Sequence, residues 1–142
     1  MVDPDVVARR LLALGEALRE LDGRLSDITV EGLTADALLR AAVERWLQVA
    51  VESCIDIAYH VVAERGWTPP ETAREAFALL AAHSVVPGDL ARSLGRAAGL
   101  RNILVHDYVR VDLALLSESV RSALRDLQAF GALASKLISV AD

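Results

Sequence analysis

Val7, Leu11, Leu14, Leu18, Leu21 and Leu25 recur at alternating spacings of four and three. Near the other end of the chain, Leu116, Val120, Ala123, Leu127, Phe130, Ala134 and Leu137 do the same. That alternation keeps each set on one face of a helix, whereas a strand would send successive members to opposite sides. An apolar face needs another element to cover it, so a chain striped this way at both ends must pack helix on helix. Composition agrees. Ala and Leu, both strong helix formers, make up about a third of the 142 residues. Aromatics reach only 4% within a hydrophobic total of 54%, which suits a core of aliphatic side chains and suits a β-sandwich badly. The expected fold is all-α, an up-and-down bundle of about five helices forming a single domain over residues 1–142.

The punctuation predicts where the helices lie. The first runs from about Pro4 to Arg24, followed by a polar break from Ser26 to Gly32. A longer second helix is expected from an N-cap at Thr34 to Arg65, with Gly66 as its stop. Leu38, Ala42, Val43, Trp46, Val49, Ile55, Ile57 and Val62 cannot share one narrow stripe, so this helix is either central in the bundle or faces a partner subunit. Thr68-Pro69-Pro70-Glu71 reads as a third helix start, with Thr68 as cap and Glu71 completing a capping box. That helix should end near His83. Pro87 opens a fourth helix, and Asp112 caps a fifth.

Several classes are excluded on composition. No apolar run approaches the roughly 18 residues that a membrane span needs, and MVDPDVVARR does not read as a secretory signal. Cys54 is the sole cysteine, which leaves no internal disulfide and no cysteine-based zinc cage. A cytoplasmic location is therefore expected, with neither a membrane nor DNA as partner. The formal net charge of −5 argues against a non-specific coat on long nucleic acid. Yet Leu90 to Arg110 holds Arg92, Arg96, Arg101 and Arg110 against one acid, Asp107. This basic window is either a solvated helix face or an anion-binding patch.

Inside that window lies Arg101-Asn102-Ile103-Leu104-Val105-His106-Asp107-Tyr108, a density of polar chemistry that packing does not require. Arg is a permanent cation with a planar fork matched to phosphate oxygens. His titrates near neutrality and can carry a proton. RNA supplies its own nucleophile, the 2′-OH, so an Arg and a His suffice for cleavage without metal or cofactor. On a regular helix, however, positions 101 and 106 lie roughly 140° apart. Either the helix ends or loosens near Val105, or two chains each contribute their pair to a shared cleft. Asn102 stands angularly between the two positions.

R-N-x-x-x-H-x-Y on the penultimate helix resembles the R-x4-6-H motif of HEPN domains and, more narrowly, the HepT-like toxins of prokaryotic toxin–antitoxin pairs. The segments RWLQVAVESCIDIAYHVVAERGW (45–67) and PPETAREAFALLAAHSVVPGDLARSLGRAAGLRNILVHDYVRVD (69–112) resemble that family's central helices and loops. The resemblance spans nearly the whole chain. It implies a HEPN-like bundle that forms a homodimer, with Arg101 and His106 as the catalytic pair of a metal-independent endoribonuclease at the dimer cleft. Asn102 matches the polar residue after the Arg. Tyr108 matches a tyrosine to which a minimal nucleotidyltransferase antitoxin transfers AMP, and a bulky anion there would block the cleft and neutralise Arg101. RNA and the cognate antitoxin are thus the implied partners, and a 2′,3′-cyclic phosphate the implied product. The same resemblance also admits a non-catalytic HEPN module that binds nucleotide or protein beside a nucleotidyltransferase. An unrelated helical adaptor would instead keep Arg101 and His106 far apart and away from any interface.

Glu52, Asp56 and His60 line one side of the second helix at i, i+4 and i+8. Asp56 either supports the site by orienting His106 or Arg101, or belongs to a polar seam; three ligands on one helix do not close a metal sphere. His83 suits a helix end. Trp46 and Trp67 read as packing residues, and Cys54 as inert.

Overall fold

The computed structural model describes residues 4–106 and 112–141, with side chains over 5–100 and 112–137. Among these residues the chain forms six α-helices: α1 (Pro4–Gly23), α2 (Val30–Ala35), α3 (Ala37–Glu64), α4 (Ala73–Ala82), α5 (Gly88–His106) and α6 (Leu113–Ala141). A 3₁₀ turn, Leu25–Asp27, links α1 to α2. Five of these helices are the expected ones, and α2 is an addition of six residues.

The addition corrects one expected cap. Thr34 does not cap the long helix; its hydroxyl donates to the Val30 carbonyl at 2.6 Å inside α2. Thr29 caps α2 by accepting from Gly32 N–H at 3.0 Å, and Asp36 caps α3 by accepting from Leu39 N–H at 3.0 Å. Three oxygen-bearing side chains within eight residues all satisfy the local rule for a cap. Burial decides among them: Ile28 and Leu33 are both fully buried, and the chain must turn twice to seat both.

A second correction falls at α4. The box is not Thr68 with Glu71 but Thr72 with Glu75, one turn later. Thr72 Oγ1 accepts from Glu75 N–H at 3.1 Å, and Glu75 Oε2 accepts from Glu71 N–H at 2.8 Å. Consecutive prolines explain the shift. A residue that precedes proline is pushed out of the helical region, so Pro69, followed by Pro70, cannot open a helix. The other boundaries match the sequence reading. Gly66 at φ +70° closes α3, with Trp67 N–H donating to the Val62 carbonyl at 3.2 Å. His83 ends α4, and Pro87 opens α5 by accepting from Ala91 N–H. Asp112 caps α6, its Oδ1 accepting from Ala114 and Leu115 N–H at 2.9 and 3.1 Å.

α3 is the axis of the bundle. It packs against α1, α4, α5 and α6, which answers why its apolar residues spread around the helix. Val43, Leu47, Val51, Ile55, Ile57, Val61 and Val62 are all buried. Phe77 of α4 meets Phe130 of α6 edge to face, centroids 5.7 Å apart, and both are at most 2% exposed. The turn after α1 is tied down from α6. Ser117 donates to the Ile28 carbonyl at 2.8 Å, and Arg121 Nη2 donates to the carbonyls of Leu25 and Ile28 at 2.9 and 3.0 Å. The Leu25 carbonyl also accepts from Ile28 N–H at 3.2 Å within the 3₁₀ turn, whereas the Ile28 carbonyl, past that turn, relies on these α6 side chains. Arg121→Ala is expected to cost about 1–2 kcal/mol in urea unfolding. A loss indistinguishable from that of Arg125→Ala, an exposed neighbour on the same helix, would show the tie to be idle.

Candidate functional site

α5 carries the polar motif on its last turns. Its backbone is helical through His106, the last residue of α5 and one residue beyond Val105. Positions 101 and 106 therefore keep their separation of roughly 140° around the helix. Asp112 then starts α6. Tyr108 itself lies outside the described residues, as do the side chains of Arg101, Asn102 and His106.

One periodicity in α5 passes unnoticed in a reading by motif. Gly88, Arg92, Gly95, Gly99, Asn102 and His106 are spaced 4-3-4-3-4, which places every one of these positions within roughly 40° of His106 around the helix. α4 lies along the first part of this face. Gly95 is buried under Arg74 of α4, so closely that a Cβ there would stand 3.2 Å from Arg74 Cγ. Four residues on, Gly99 is exposed and a Cβ would meet nothing within 4 Å among the described residues. The face that leads to position 106 emerges from under α4 between these two glycines.

Of the basic window, the Arg92 and Arg96 side chains lie among the described residues. Arg92 leans back over Gly88, its guanidinium 3.6 Å from where a Cβ would sit. Arg96 donates to Ser93 Oγ at 3.0 Å and lines a groove of about 300 Å³ between α5 and α6. Leu100, Glu118, Ser122 and Asp126 share that groove, and its two carboxylates make it a poor home for phosphate. The other two arginines of the window, Arg101 and Arg110, have side chains outside the described residues.

Asp56 is engaged from α1. Arg10 Nε lies 3.2 Å from Asp56 Oδ2, with both side chains about half exposed. This contact supports the polar-seam reading, in which Asp56 fastens α1 to α3; Glu52 and His60, on the same side, are half-buried and also partnered. His83 stacks on Trp67, centroids 3.7 Å apart and planes 9° from parallel, and the Arg65 guanidinium lies 5.9 Å from the Trp67 ring centre. Trp46 packs against the core with Arg24 over its ring at 5.2 Å. Both tryptophans and His83 are thus accounted for by packing. Burial pushes the Cys54 thiol far above its ordinary range, so it stays protonated and unreactive. Among the described residues no three His, Cys, Asp or Glu side chains gather as metal ligands, and no helix is long and apolar enough to cross a membrane.

Comparison with known proteins gives this geometry a context. The chain is 29% identical over 128 residues to the mRNA nuclease HepT of Shewanella oneidensis, covering 89% of this chain and 93% of that protein. It is 28% identical over 111 residues to the tRNA nuclease HepT of Aphanizomenon flos-aquae, covering 78% and 75%. The fold superposes on the tri-AMPylated Shewanella oneidensis HEPN toxin in complex with MNT antitoxin at a TM-score of 0.77 and 28% identity, covering 91% of this chain and 96% of that one. A toxin–antitoxin structure with AMP-PNP gives the same TM-score at 27% identity, over 92% and 98%. The family model described as Ribonuclease HepT-like matches residues 14–132, and on that span the chain belongs to the HepT-like ribonuclease family.

Proposed function

We propose that this chain is a metal-independent endoribonuclease, the toxin of a toxin–antitoxin pair, acting in the cytoplasm as a homodimer and silenced by AMP transfer to Tyr108. The observation that carries the reading is that a HepT-like chain, matched over residues 14–132, keeps an Arg and a His five apart on the final turns of an unbroken helix. Arg101 holds the non-bridging oxygens of the scissile phosphate and offsets the charge that builds in the transition state. His106 takes the proton of the 2′-OH, whose oxygen attacks phosphorus. The 5′-oxygen leaves, taking a proton from water, and the RNA fragment keeps a 2′,3′-cyclic phosphate. Asn102, at a position between the two, orients the phosphate or the imidazole. Because one unbroken helix turns positions 101 and 106 away from each other, the cleft takes its Arg and His from both subunits.

AMP on Tyr108 places a nucleotide two residues beyond His106. It occupies the cleft and brings a negative charge to Arg101. Incubation with the cognate minimal nucleotidyltransferase antitoxin and ATP is expected to add AMP at Tyr108 and to stop RNA cleavage. Tyr108→Phe should cut RNA but escape silencing. Peptide mass spectrometry locates the adduct; AMP found on another residue, or cleavage that persists on a fully modified chain, would overturn this reading of regulation.

A further inference from the structure

We infer that Arg74, on α4, is a positioning residue for substrate RNA, holding a phosphate that flanks the scissile one. The inference rests on the ribonuclease reading above and deepens it. The sequence offered Arg92 and Arg96 for this work, but the fold turns both aside: one leans toward the start of α5, the other bonds Ser93 beside two carboxylates. Arg74 is exposed, and among the described residues no ion pair engages it. The nearest glutamate on its own helix, Glu75, is drawn back to Glu71 N–H.

Its direction follows from helix geometry. α4 and α5 are joined by only five residues, 83–87, and pack antiparallel, as helices so joined do. Arg74 and Gly95 lie eleven and ten residues from Val85, the middle of that connection, and they touch. Helical side chains lean toward the N-terminus of their own helix. For Arg74 that direction is toward the C-terminal half of α5, where Gly99 lies open and Asn102 and His106 follow on the same face. Along the α5 axis, Gly95 precedes position 106 by roughly 16 Å. A guanidinium on a long stem covers part of that distance, so Arg74 meets the RNA backbone about one or two nucleotides from the cut. Its planar fork suits a phosphate, and the open backbone at Gly99 leaves room for the chain to pass.

The test reads RNA affinity and its salt dependence by fluorescence anisotropy in EDTA, on a His106→Ala background so that RNA stays whole. Arg74→Gln keeps the stem that packs on Gly95 and removes the charge. It is expected to weaken binding roughly tenfold at low salt and to flatten the log–log salt slope by about 0.7, the loss of one phosphate contact on a single strand. Arg74→Lys should restore the slope but not the full affinity. Arg19→Gln, an exposed cation on α1, should do neither. In the His106-intact enzyme, Arg74→Gln should raise KM more than it lowers kcat. A slope unchanged by Arg74→Gln, or lowered equally by Arg19→Gln, overturns the inference. If the wild-type chain cuts no RNA and the Arg74 slope still falls, the nuclease reading fails and the RNA contact stands. A chain that binds no RNA overturns both.

Discussion

His106→Ala is expected to leave RNA whole in EDTA under conditions in which the wild-type chain should cut it and leave 2′,3′-cyclic phosphate ends. Proton transfer by a placed side chain contributes on the order of 10²–10⁴ in rate, and alanine removes all of it. Position 106 closes α5, where a change of side chain disturbs little of the helix before it. Unfolding midpoint and far-UV circular dichroism should therefore match wild type, separating lost chemistry from lost fold. Arg101→Ala should fall by about 10²–10³, the cost of removing one stabiliser of transition-state charge. Arg101→Lys should not recover full activity, because an ammonium cannot present the planar two-pronged contact of a guanidinium. If the cleft draws its Arg from one subunit and its His from the other, mixing Arg101→Ala and His106→Ala chains should restore cleavage through the fraction of heterodimers with one intact cleft. Equal cleavage by wild type and His106→Ala would remove the enzyme.

The second large effect is on stability. Phe77→Ala is expected to lower unfolding free energy by about 3–5 kcal/mol, through lost burial and the cavity left behind. Phe77 is 1% exposed and meets Phe130 edge to face, and these are the two phenylalanines of the chain. The residues nearest in sequence, Ala76 and Ala78, carry only methyl groups, too small to refill the space. Phe77 also joins α4 to α6, so its loss loosens α4, the helix that seats Arg74 against α5. A urea titration should show a lower midpoint with an unchanged slope. A shift of less than about 1 kcal/mol would mean that α4 is not part of the cooperative core.

The two corrected caps show where a local reading stops. Thr29, Thr34 and Asp36 each satisfy the chemistry of an N-cap, and so do Thr68 and Thr72. At Thr68 the choice was legible in principle, because Pro70 bars its predecessor from the helix. Among Thr29, Thr34 and Asp36 it was not, because the decision lies in burying Ile28 and Leu33 together. The candidate site divides in the same way. Arg101, Asn102, His106 and Tyr108 stand out because they are chemically unlike the aliphatic helix around them. Arg74 does not, being one arginine among fourteen, and only its contact with Gly95, twenty-one residues away, gives it a place.

The sequence alone determined the helical class, most helix ends and the identity of the motif, because periodicity, caps and residue chemistry act within a few residues of one another. Tertiary structure decided which faces meet: that α3 is central, that Asp56 is engaged by Arg10, that Arg96 shares a groove with Glu118 and Asp126, and that α4 uncovers α5 beyond Gly95. Those outcomes depend on contacts between residues distant in the chain, whose pairing is set when the apolar faces close on one another.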